Sequence, residues 1–105
     1  MLRIYYDVLE IIREVRPLLE RVKTRSPSLA DQGERALGAV PLRIAEGSYS
    51  RGKNRAVHYH GGAGSMQEAI AVLESAEAWG HLGPLDAQLR NRMQRAVAVL
   101  FKNAR

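Results

Sequence analysis

Apolar residues along this chain recur at helical spacing, and no stretch alternates at the period of a half-buried strand. In residues 2–23, Tyr5, Leu9, Ile12, Leu19 and Val22 form one series. Ile4, Val8, Ile11, Val15 and Leu18 form a second beside it. Together they make a stripe broader than one helix seam needs. Pro17 removes the backbone hydrogen bond to the Arg13 carbonyl and predicts a bend there. A second helix is expected over residues 29–46, with Ser28 as N-cap, Asp31 in a capping-box position and Leu37, Val40, Pro41 and Ile44 buried. Gly47 is expected to stop it, and Pro41 to kink it. A third helix over residues 53–79 buries Met66, Ala69, Ile70, Leu73 and Ala76, with Val72 and Trp79 widening the face and Gly80 ending it. The fourth, residues 84–103, starts with Pro84 in its first turn and Asp86 at the positive helix end. Leu85, Leu89, Met93, Ala96, Val97 and Leu100 form its inner face. Short connections predict antiparallel neighbours. The expected fold is therefore all-α, an antiparallel up-and-down four-helix bundle forming a single domain over residues 1–105.

The stretch HYHGGAGS, His58 to Ser65, admits three readings. As a phosphate-binding turn it needs a glycine or alanine at position 67, where Gln67 stands, or a Lys-Ser pair that is absent. It also needs a strand at Val57–His60, with no sheet for that strand to join. As a metal site it has His58 and His60 about 200° apart around a helix, so they do not face one ion within a chain. As a thinned helix, Gly61 and Gly64 or Ser65 let a neighbour approach closely, at a cost of about 1 kcal/mol per glycine relative to alanine. The third reading is preferred, with Pro41 on the facing helix.

Composition narrows the class. The chain lacks cysteine, which excludes disulfides and thiolate metal ligation. The opening MLRIYYDVLE carries acids where a signal peptide has a basic-then-apolar plan, and no apolar run reaches the roughly 20 residues of a membrane span. A soluble, cytoplasmic chain with no membrane partner is expected. The net charge is +5, unevenly spread. Residues 56–80 carry three acidic side chains and no Lys or Arg, whereas residues 81–105 carry five basic and one acidic. Arg90, Arg92, Arg95, Lys102 and Arg105 lie on helix four, and Arg51, Lys53 and Arg55 follow the second helix. Such a set suits phosphate contacts without much sequence choice, although a charge run is also an ordinary solvated face. Tyr49 is the only aromatic residue near the basic loop, so base-specific reading is not expected.

Catalytic chemistry finds little footing. Glu46 and Glu68 would need a cleft to act as an acid–base pair, and Ser65 has no recognisable His and Asp partners. Structural roles are expected: Glu46 near a helix end, Glu68 bonded to an adjacent helix or subunit. No enzyme activity and no cofactor are expected.

Two blocks, AVPLRIAEGSYSRGKN and GAGSMQEAIAVLESAEAWGHL, resemble the small bacterial four-helix-bundle family also called the 23S ribosomal RNA intervening-sequence proteins. The matching positions are Pro41, Ile44, Ala45, Glu46 and Gly47, then Gly64, Ser65 and Glu68, then Trp79, Gly80, His81 and Leu82. RIYYDV stands where the family often has a Trp-Gln pair, and Gly61 and Gly62 replace an apolar-plus-alanine pair. The resemblance implies a bundle that assembles as a homopentameric ring. Relatives called accessory variability determinants work beside reverse transcriptases and bind nucleic acid. It thus implies self-association, RNA or DNA, and a reverse transcriptase as partner classes. The broad stripe of helix one independently favours an oligomer, because a lone bundle would leave part of it in water. A protein-only scaffold is the alternative.

Overall fold

The computed structural model describes residues 1–105 as four α-helices with no strand. They are α1 (Arg3–Lys23), α2 (Pro27–Ser48), α3 (Gly52–Ala78) and α4 (Ala87–Asn103). Each helix packs on its sequence neighbour, and α1 meets α4 to close the bundle. Pairings along the seams show antiparallel order. Met1 reaches Ser48, Leu19 lies against Gly33, Gly47 against Tyr59, and Leu100 against Gly62. The long dimension of 42 Å is about the length of α3 alone at 1.5 Å per residue.

The core is a column of aliphatic side chains: Val8, Ile11, Val15, Val40, Ile44, Met66, Leu73, Met93 and Leu100 are all but inaccessible to solvent. No polar or charged residue is buried. Of the two apolar series on α1, Ile4, Val8, Ile11, Val15 and Val22 are buried, while Tyr5, Leu9, Ile12, Leu18 and Leu19 are only half-covered. Ile12 and Leu19 line an open groove of about 580 Å³ between α1 and α2.

Helix ends differ from the expectation in three places. The N-cap of α2 is Ser26, whose Oγ accepts from the Leu29 amide at 3.3 Å. Pro27 then occupies the first helical position, where its missing N–H costs nothing; Ser28 is already inside. Gly47 does not stop α2, which continues to Ser48. Its role is contact: a Cβ there would stand 2.7 Å from Cδ1 of the buried Tyr59 ring. Pro84 lies before α4, which begins at Ala87, and Asp86 is the true cap, with Oδ2 accepting from Leu89 N at 2.9 Å. Pro17 and Pro41 both lie within uninterrupted helices, Pro17 on the exposed side and Pro41 in the core. Gly80 does close α3, with φ of +79° just beyond the end. Trp79, expected to widen the buried face, is 76% exposed.

Val57–His60 is interior helix, which excludes the strand-and-turn reading. The helix is thinned at Gly61 and Gly62 rather than at Gly64. A Cβ on Gly61 would lie 3.0 Å from the Arg43 guanidinium, and one on Gly62 would lie 3.3 Å from Leu100 Cδ1. Gly64 faces open space. A glycine pair at 61 and 62 is therefore what lets α2 and α4 both press on α3.

Candidate nucleic-acid interface

The antiparallel topology sorts the side chains into two halves. One half holds the α2–α3 turn, the first turns of α1 and the last turns of α4: residues 1–12, 38–66 and 95–105. The other half holds the two remaining turns. The first half carries eight basic side chains, Arg3, Arg43, Arg51, Lys53, Arg55, Arg95, Lys102 and Arg105, against Asp7, Glu10 and Glu46. The second half carries eight basic and eight acidic side chains. The whole excess of +5 therefore sits around the α2–α3 turn.

That turn is short and well tied. Tyr49 caps the C-terminus of α2, its amide donating to the Ala45 and Glu46 carbonyls at 3.3 Å. Ser50 Oγ donates to Glu46 O at 2.8 Å, and Ser50 N to Gly47 O at 3.1 Å. Arg55 reaches back from α3, its Nε shared between Gly47 O (3.2 Å) and Ser50 O (3.1 Å). A cation at a helix C-terminus satisfies orphan carbonyls and opposes the helix dipole. Gly52, at φ +55°, makes the sharp entry into α3. The first turn of α3 has no side-chain cap and no acid, so the helix dipole adds to the positive field there.

The basic residues singled out in the sequence fall into three environments. Arg51, Lys53 and Lys102 are exposed and make no ion pair, and Arg95 is exposed on α4, beside Arg3 and Asp7 in a surface hollow. Arg55 is committed in part to the loop backbone. Arg90 and Arg92 lie in the balanced half, each facing a carboxylate on another helix: Arg90 with Glu74 of α3 at 3.6 Å, and Arg92 with Glu14 of α1.

The motif residues are equally divided. Pro41, Ile44 and Gly47 are buried on the α2–α3 seam, with Ala45 and Ser65 half-buried and Gly64 exposed. Glu46 approaches His58 Nδ1 at 3.5 Å, and Arg43 Nη1 lies 3.2 Å from the same nitrogen. The sequence reading missed Arg43. Its signal was the glycine pair opposite, since its guanidinium lies over Gly61. Glu68 is exposed and makes no ion pair or hydrogen bond within the chain. His60 points away from His58 and packs on Phe101 at a ring-centroid distance of 5.5 Å.

Comparison with protein-family models, curated proteins and solved structures returns no match to this chain. No helix is long and apolar enough to cross a membrane.

Proposed function

We propose that this protein is a non-enzymatic, self-associating helical bundle that binds RNA or DNA through the basic half of its surface. The observation that carries the reading is the confinement of the entire +5 excess to the half around the α2–α3 turn. Like charges gathered at one end raise the local potential more than the same charges spread out, and they favour polyanions at low salt. Arg51, Lys53, Arg95 and Lys102 are the contacts, with Arg3 and Arg105 beside them. Arg90 and Arg92 serve mainly to join helices.

Self-association is supported by surfaces that a solitary bundle leaves bare. The outer face of α3 bears Val57, Gly64, Ala71 and Ala78 in one exposed row, with Trp79 just past the helix end and His60, Gln67 and Glu74 beside it. An exposed apolar row rimmed by polar residues is the mark of a contact surface. The half-covered series on α1 points the same way. The resemblance to the intervening-sequence and accessory-variability families suggests a five-membered ring and a reverse transcriptase as the neighbouring enzyme. These same bare surfaces also favour the second reading, a scaffold that binds only protein.

Titrating labelled RNA and DNA oligonucleotides with the protein at several salt concentrations separates the two. Binding that weakens steeply with salt, together with loss on replacing Arg51 and Lys53 by alanine, is the expected result. Absence of binding at low salt leaves the scaffold. Light scattering of the purified protein gives the number of copies.

A further inference from the structure

Within the nucleic-acid reading, on which this inference rests, we infer that the α2–α3 turn selects single strands, with Tyr49 as a stacking platform. Tyr49 is 85% exposed, more than any other large apolar side chain of the molecule. A tyrosine ring left that bare in a small domain is wasted as packing. It lies between the last turn of α2 and the exposed cations Arg51 and Lys53. The nearest carboxylate in the chain, Glu46, faces His58, with Oε2 3.5 Å from His58 Nδ1, and makes no ion pair with these cations.

The backbone beneath Tyr49 is held by the bonds to Ala45, Glu46 and Gly47 and by the two acceptors of Arg55. The residue sits near φ −93°, ψ 0°, an ordinary turn conformation. A ring on a fixed backbone loses only the freedom of two side-chain torsions when a base settles on it. Single strands present free base faces, whereas duplex bases are already stacked on one another. An exposed aromatic flanked by unpaired cations therefore fits an unpaired strand, whose phosphates meet Arg51 and Lys53 while a base covers the ring. Every base has such a face, so the preference is for strandedness over sequence. The contacts do not involve the 2′-hydroxyl, so RNA and DNA are expected to bind alike.

The decisive measurement is fluorescence anisotropy with labelled single strands of uridine and of thymidine, and with a duplex of equal length, at low salt. The native protein is expected to favour both single strands over the duplex, and the two single strands to lie within about fivefold of each other, since every base offers a stacking face. Tyr49→Ala is expected to weaken single-strand binding at least fivefold, the lower end of what one stacked base contributes, and to change duplex binding less than twofold. Tyr49→Phe is expected to bind as the native protein does. Replacing both Arg51 and Lys53 by alanine is expected to lower the slope of log affinity against log salt for single strands by roughly 1.4. In a protein carrying Trp79→Phe and Tyr49→Trp, the new tryptophan is expected to be quenched by the single strand. In the native protein Trp79, at the opposite end, is not. Equal binding of Tyr49→Ala and native protein to single strands overturns the inference, as does an equal loss for single strand and duplex. Either result leaves the nucleic-acid reading standing. Failure of the native protein to bind any of the probes removes both.

Discussion

The two halves of this bundle are built from the same four helices yet treat charge in opposite ways. Around the α1–α2 and α3–α4 turns, eight acids balance eight bases. Arg90–Glu74 and Arg92–Glu14 stitch neighbouring helices, and Arg35–Asp31 and Arg16–Glu20 run along single helices. Around the α2–α3 turn, bases outnumber acids by five, and Arg3, Arg51, Lys53, Arg95, Lys102 and Arg105 have no ion-pair partner. Partly exposed pairs each contribute little to stability, so the balanced half is not made much firmer by them. What its pairing achieves is to cancel the field. The unpaired half keeps its field, which a polyanion can use.

Charge reversal tests this contrast most severely. Arg51→Glu, Lys53→Glu and Lys102→Glu together are expected to weaken nucleic-acid binding by about a hundredfold or more, since three phosphate contacts are lost and repulsion added. The matching triple at Arg21, Lys23 and Arg25, in the balanced half, is expected to cost less than about fivefold, by the same electrostatic reasoning. Equal losses from the two triples would mean that net charge alone governs binding.

The seam beneath the basic turn can be broken by adding one carbon. Gly47→Ala places a Cβ against the buried Tyr59 ring, and urea unfolding is expected to show a loss of about 1–3 kcal/mol, the usual cost of overpacking. In the other half, Asp86→Ala removes the cap of α4 and is expected to cost about 0.5–2 kcal/mol. Gly64→Ala meets open space in mid-helix, so it should stabilise by about 0.5–1 kcal/mol in the same assay. A loss instead would show that another copy packs closely on Gly64. The smallest effect is expected of Arg92→Ala, at most about 1 kcal/mol, because the pair with Glu14 is partly exposed.

Much of this fold was legible from periodicity. All four helices were expected, and so was the burial of Leu37, Val40, Pro41 and Ile44 on α2 and of Met66, Ala69, Ile70, Leu73 and Ala76 on α3, because a repeated spacing of three and four positions has one efficient burial; the buried Ala30, Gly33 and Ala36 of α2 and Tyr59 and Ala63 of α3 were not expected. The ends were less legible. Ser26-Pro27-Ser28 offers two serines as caps, and only the geometry of the chain leaving α1 selects the first. Gly47 looked like a stop, as helix-terminal glycines usually are, but a ring twelve residues later claims its missing side chain. Trp79 had the right spacing to be buried, yet α3 ends at Ala78 and leaves its ring in solvent. The glycines were read correctly as a thin place in a helix, but the two that matter are Gly61 and Gly62. Which side of a helix a glycine faces depends on where its neighbours sit.

The charge pattern shows the division most clearly. The chain alone specified a basic protein with an acidic third segment and a basic fourth. Antiparallel packing then laid Glu74 of α3 beside Arg90 of α4 and brought Glu14 of α1 to Arg92. The acids of α3 all fall in its second half, where Glu74 meets the first part of α4, and none pairs with Arg95, Lys102 or Arg105, which join the loop cations at the far end. Sequence fixes how many charges there are and which helix bears them, because periodicity and composition are local properties. Only tertiary structure decides which are neutralised, because Coulomb interaction depends on distance through space, and distance along the chain says little about it once helices fold back on one another.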